Sequence, residues 1–295
     1  MRMRRDEVRL RSVLERLYRR YDHRRFVDPD PLLFLYRYDD VRDREIAGLV
    51  ASSLAFGGVR QIMASVSTVL DVMGDSPTGF LEANDRKDIF HAWAGFRHRW
   101  AGVDELTGLL TGISGVMKEY RMIENAFISG MGADDEDVMP ALTGLVEKIS
   151  AAGAGSRNCL IPDPAKGSAC KRLNLFLRWM VREDRVDPGG WRSVSPSRLL
   201  IPLDTHMHRF ATLLGFTVRK QNDIRTARDV TAGLRRLDRD DPVRYDFAMT
   251  RLGIRRDEDR KDLVSDLGLD LDEKGRVYRP AEESDPEGVE KKCAS

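Results

Sequence analysis

Leu199-Leu200-Ile201-Pro202-Leu203-Asp204-Thr205-His206-Met207-His208-Arg209-Phe210 is an apolar run that stops at an aspartate and resumes as a helical pattern. Asp204 stands where a helix N-cap belongs. Its carboxylate can accept the orphan N–H groups of the first turn, and its charge suits the positive end of the helix dipole. Capping alone accounts for such an aspartate, and a catalytic role is compatible with it. His206 and His208, two residues apart, face different directions on a helix and make a poor pair for a metal.

Upstream, Gly167-Ser168-Ala169-Cys170-Lys171-Arg172 leads into the amphipathic string RLNLFLRWMVR. Ser168 is a good N-cap and predicts a helix over 169–182, with Lys171 near the third position of the first turn. The dipole there disfavours an ammonium and favours the neutral amine, which is the form a Schiff-base nucleophile needs; Arg172 adds to the effect. An exposed lysine that swings clear of the dipole is the plain alternative.

Outward from these segments, apolar residues recur at three- and four-residue spacing and strand signals are nearly absent. Val8, Leu10, Val13, Leu14, Leu17, Tyr18 and Tyr21 make one helical stripe. Further helices are expected over 31–38, 42–55, 59–73, 103–120, 122–129, 137–151, 205–214, 225–237 and 242–252, with a broken stretch after Gly74. Residues 152–167, rich in Gly, Pro and Ala, read as a linker or hairpin. The fold class is therefore all-α. A basic N-terminal helix (1–27) precedes one helical half (28–151); the connection leads to a second half (168–256). An acidic tail, 257–295, is low in large apolar residues and expected to be loosely ordered.

Charge is distributed more tellingly than its total. The 295 residues sum to +1. Residues 1–25, however, hold ten arginines against four acids, and 165–260 hold 21 basic against 13 acidic side chains. Residues 261–295 reverse this, six against ten. Local charge is what a phosphate backbone feels, although arginine-rich helices are also ordinary solvated faces. Whether 1–25 packs on the core or reaches for a polyanion is open. Three cysteines cannot supply an iron–sulfur cluster or a four-thiolate zinc site, and no HExxH or phosphate-loop spacing occurs, so no metal or cofactor is expected. No apolar run approaches the roughly 20 residues of a membrane span, and the N-terminus lacks the apolar core of a signal peptide. A cytoplasmic monomer is expected.

Asp204-Thr205-His206-Met207-His208-Arg209 resembles the D-T-H-x-x-R segment of endonuclease III and its relatives among the helix-hairpin-helix DNA glycosylases. The spacing from Lys171 to Asp204 is most similar to the archaeal 8-oxoguanine glycosylase branch. The strings CKRLNLFLRWMVR, IPLDTHMHRF and DPVRYDFAMTRLGI look like an uncharacterised bacterial family in that superfamily, a domain of unknown function, over about 28–255. The resemblance implies base-excision repair of damaged duplex DNA, with Lys171 attacking the sugar and Asp204 accepting its proton. It implies a base flipped out of the stack and a wedge side chain filling the gap, from Leu54 or Phe56 with Arg60 and Gln61 beside it. Lys166, Ser168, Arg172, His206 and Arg209 would meet DNA, and Asp246 and Phe247 would line the base pocket. Each apolar residue here fits a helix core equally well. The loop Ile161-Pro162-Asp163-Pro164-Ala165-Lys166-Gly167 departs from the family's glycine-rich hairpin, which grips a phosphate by its N–H groups. A non-catalytic nucleic-acid binder of the same fold, or an adaptor protein, is the alternative.

Overall fold

A computed structural model of the chain describes residues 5–153, 158–254, 260–273 and 277–280. It is overwhelmingly helical: α1 (Arg5–Tyr21), α2 (Val41–Ser53), α3 (Val59–Met73), α4 (Pro77–Ala83), α5 (Arg86–Ala92), α6 (Val103–Tyr120), α7 (Ile123–Ile128), α8 (Met139–Ala152), α9 (Lys171–Val181), α10 (Thr205–Leu213), α11 (Ile224–Arg235), α12 (Asp246–Ile254) and α13 (Arg260–Asp266). Among the described residues the strands are two antiparallel pairs of two residues each, β1 (Arg97–His98) with β2 (Ala101–Gly102) and β3 (Asp270–Leu271) with β4 (Val277–Tyr278). Among those residues, no helix is long and apolar enough to cross a membrane.

The centre of the fold is α2. Ile46, Ala47, Leu49, Val50 and Ala51 are all fully buried, so the middle of this helix has no exposed face. It is enclosed by a 3-10 helix (Pro31–Arg37), α4 and α9. A helical segment apolar all round can sit only in an interior. Its fully buried Glu45 carboxyl is held at both oxygens: Ile123 N–H donates to Oε1 (2.6 Å), and Glu124 N–H (3.1 Å) and the Trp191 indole (3.0 Å) donate to Oε2. Buried side chains on both sides of the 152–167 connection belong to one continuous core.

Helices α6 and α8 lie unusually close. A Cβ on Gly112 would overlap the Ile149 carbonyl, and one on Gly115 would meet Ala152. This approach fixes α8, against which the Pro164–Lys166 turn packs.

Helix α1 packs on the fold through Val13, Leu14, Leu17 and Tyr21. Tyr18 meets the Tyr245 ring edge-on and donates to Asp184 Oδ2 (3.0 Å), and Tyr245 donates to Glu15 Oε1 (2.6 Å). The question left open by the basic N-terminus is answered for α1: its apolar stripe docks against α12.

Several expectations need correction. Helices α4 and α5 occupy the stretch read as broken; their caps, Ser76 and the Asp85–Asp88 capping box, outweigh their weak periodicity. The tail is not uniformly loose, because α13 and the β3–β4 pair fold back and bury Val264, Leu269 and Val277. The remainder of the tail from 281 lies outside the described residues.

Candidate active site

Lys171 and Asp204 meet. The Lys171 Nζ lies 3.2 Å from Asp204 Oδ2, with the lysine side chain 39% and the aspartate 19% exposed. Asp204 is also the N-cap of α10, its Oδ1 accepting from Met207 N–H (2.8 Å). One carboxylate thus caps a helix and faces the amine.

Lys171 reaches this position by a different route from the one Ser168 suggests. Ser168 does not cap α9. Its Oγ accepts from Cys170 N–H (3.2 Å) in a local turn, and the backbone of Ser168 bridges to Asp223. Ile224 N–H donates to the Gly167 carbonyl (3.1 Å). These ties carry the loop two residues further, until Cys170 turns into α9 in a left-handed conformation (φ 45°) with no side-chain cap. Lys171 is therefore the first helical residue, beside N–H groups that no side chain caps.

The pair stands at the edge of a cavity of about 230 Å³. Leu175 and Arg178, one and two turns along α9 from Lys171, continue its wall. Opposite, α12 contributes Asp246, Phe247, Thr250 and Arg251, a pattern of paired i, i+4 positions. The Asp28–Asp30 turn contributes Pro29 and Asp30, and Asp30 is ion-paired with Arg251. The volume falls below the 300–1,000 Å³ typical of drug-sized sites and suits a single planar ring system.

Below the cavity lies a buried charge network. Arg178 is ion-paired with both Asp246 and Asp187; Arg182 holds Asp187, Asp184 (2.8 Å) and Asp241 (2.8 Å). Burial pushes the Asp246 carboxyl upward while Arg178 pulls it down, and burial pushes Asp187 up to about 6. For the two guanidinium groups burial works against the charge, and the surrounding aspartates outweigh it.

The remaining residues singled out from sequence divide clearly. Arg60, Gln61, Lys166, Ser168, His206 and Arg209 are exposed. Asp246 and Phe247 share the cavity with Lys171 and Asp204. Leu54 is fully buried and so serves the core, which corrects its reading as a wedge. Arg172 is also corrected. Its guanidinium donates to the carbonyls of Ser53 (2.6 Å), Leu160 (3.0 Å) and Cys159 (2.8 Å) and lies over the Phe56 ring, so it is turned into the protein and braces the loop. Phe56 is half-buried between that guanidinium, His98 and Trp100. Arg178 and Trp100 were missed. The i, i+7 spacing of Arg178 from Lys171 was a usable signal, whereas nothing local marks Trp100.

Nothing in the cavity resembles a metal centre: among the described residues no group of three or more His, Cys, Asp or Glu side chains is placed to hold an ion. Comparison with curated proteins and with solved structures gives no match. The model of the family described as "Protein of unknown function (DUF2400)" matches residues 30–255, from the turn that walls the cavity to the end of α12, and the chain belongs to that family.

Proposed function

We propose that the protein is a DNA glycosylase with lyase activity, acting on an extruded damaged base such as an oxidised purine. The observation that carries this is the 3.2 Å approach of Lys171 Nζ to Asp204 Oδ2 at the edge of a small cavity. A lysine nucleophile needs a base to take its proton and a recess for the leaving group, and here both adjoin the amine. Exposed Arg60, Lys166 and Arg209 supply cations for a phosphate backbone. In this scheme α8, the 158–170 loop and α9 form the helix-hairpin-helix element, with Lys166 as a point charge in place of glycine N–H groups.

The steps balance. Asp204 takes a proton from the Lys171 ammonium. The amine attacks C1′ of the extruded nucleotide, and the glycosidic C–N bond breaks, its electron pair leaving with the base, which takes up the proton held by Asp204. Ring opening gives an imine between Lys171 and C1′. Loss of a C2′ proton then expels the 3′ phosphate by β-elimination, and water hydrolyses the imine. Once its proton has passed to the departing base, the ionised Asp204 carboxylate stabilises the cationic sugar. The reaction needs no cofactor and one protein copy.

Borohydride reduction in the presence of duplexes carrying an abasic site or 8-oxoguanine is the test. A covalent protein–DNA adduct that disappears in Lys171→Ala is the expected result. Absence of both adduct and strand cleavage across a lesion panel overturns the proposal.

A further inference from the structure

The β1–β2 hairpin carries an aromatic surface that the cavity does not use. His98 pairs with Ala101 across the hairpin, which leaves Arg99 and Trp100 as its two loop residues. Arg99 adopts φ +58°, a conformation such loops usually give to glycine or asparagine. Trp100 is 62% exposed, whereas Trp93, Trp179 and Trp191 are buried.

This indole does not dangle. It stacks on Phe56 at 5.0 Å with the rings 27° apart, and the Arg99 guanidinium lies 4.8 Å from its ring centroid. Behind Phe56, the Arg172 guanidinium covers the ring at 4.9 Å. The hairpin is pinned from within. Buried His98 pairs through Nδ1 with Ser65 Oγ (2.8 Å) and through Nε2 with the Phe56 carbonyl (3.0 Å), and burial holds its pKa down, favouring the neutral ring. Arg99 in turn lies against Gly57, where a Cβ would come within 2.9 Å of its side chain. A large apolar ring held rigid at the surface, with a cation beside it, matches what a nucleobase finds on a stacking protein.

Two chain neighbours link the platform's supports to the candidate active site. Arg172 follows Lys171, and Ala55, which precedes Phe56, lines the same cavity as Lys171 and Asp204. We propose that Trp100 is a stacking platform for a DNA base next to the extruded nucleotide, supported by Phe56 and Arg172. This rests on the glycosylase reading for the identity of its ligand. Phe56, one of two wedge candidates from sequence, becomes the support, and the exposed ring it carries makes the contact.

The test is equilibrium binding of the full chain to two duplexes, one intact and one with a central tetrahydrofuran abasic analogue, followed by tryptophan emission. Quenching on saturation is expected, because Trp100 is the exposed tryptophan. Trp100→Leu should bind the abasic duplex about ten-fold more weakly, the scale of one lost base stack, while affinity for the intact duplex changes little. Trp100→Phe should recover most of the loss, which a purely structural defect would not allow. Unchanged abasic affinity in Trp100→Leu, unaltered emission at saturation, or no duplex binding at all overturns the inference. Trapping at Lys171 with Trp100-independent binding sinks the platform alone. Trp100-dependent binding without trapping upholds the platform and sinks the lyase reading.

Discussion

The Asp204 carboxylate faces Lys171 with one oxygen while the other caps α10, so the helix itself fixes the carboxylate opposite the amine. That coupling separates the charge of Asp204 from its capping role. Asn caps a helix about as well as Asp. The pair is partly exposed, and such pairs contribute about 0–1 kcal/mol. Asp204→Asn should therefore lower stability by about 1 kcal/mol or less, while reducing adduct formation at least ten-fold. A large drop in the thermal midpoint would show instead that the carboxylate is chiefly structural.

Arg172 should behave as a structural residue despite its place beside Lys171. Its loss leaves three carbonyls without their donor, at a cost of about 3 kcal/mol for a buried charged group of this kind. Arg172→Ala is expected to lower the urea midpoint accordingly. Exposed Lys166→Ala should leave that midpoint almost unmoved and reduce the salt dependence of duplex binding by about one ion. Measuring both variants by both methods distinguishes a brace from a phosphate contact.

Asp246→Ala tests the buried network. Removing it deprives Arg178 of one of two carboxylates in an interior where an uncompensated charge is expensive. A loss of about 3–5 kcal/mol is expected, read by denaturant unfolding. A near-neutral effect would mean that water reaches Arg178 through the cavity.

Glu45 gives a pH dependence of definite sign. Burial pushes its carboxyl from the ordinary 4.5 up to about 7, against the three N–H donors that pull it down. The unfolded chain releases this proton at the lower value and the folded chain at the higher. The stability it contributes is complete below about pH 4.5 and is lost as pH rises through about 7. Calorimetric midpoints should fall across that window in the wild type and fall less in Glu45→Gln. Equal slopes would place the proton elsewhere.

Much of the helical plan is legible in the sequence because it rests on local physics. Gly58 and Gly74 bracket α3, and Asp204 opens α10, as periodicity and caps indicate. The seven-residue helices α4 and α5 escape periodicity because two turns hold too few apolar positions to form a stripe. The start of α9 could not be read, since the left-handed Cys170 depends on a bridge from Ser168 to Asp223, more than 50 positions along the chain. The pairing of Lys171 with Asp204 was suggested by spacing against known enzymes; their distance comes only from the fold. Trp100 is invisible for the same reason. An isolated tryptophan in a short hairpin looks like any core aromatic until its exposure is known.

The docking of α1 sets a limit on what shared sequence means here. The family match begins at residue 30, after α1 has ended, yet Tyr18 and Glu15 hold Asp184 and Tyr245 from outside that boundary. Tyr245 immediately precedes the helix that walls the cavity, and Asp184 belongs to the charge network beneath it. The unit of resemblance is thus smaller than the unit of cooperativity. A chain trimmed to the matched residues would keep every group proposed to react and lose the buttress behind them.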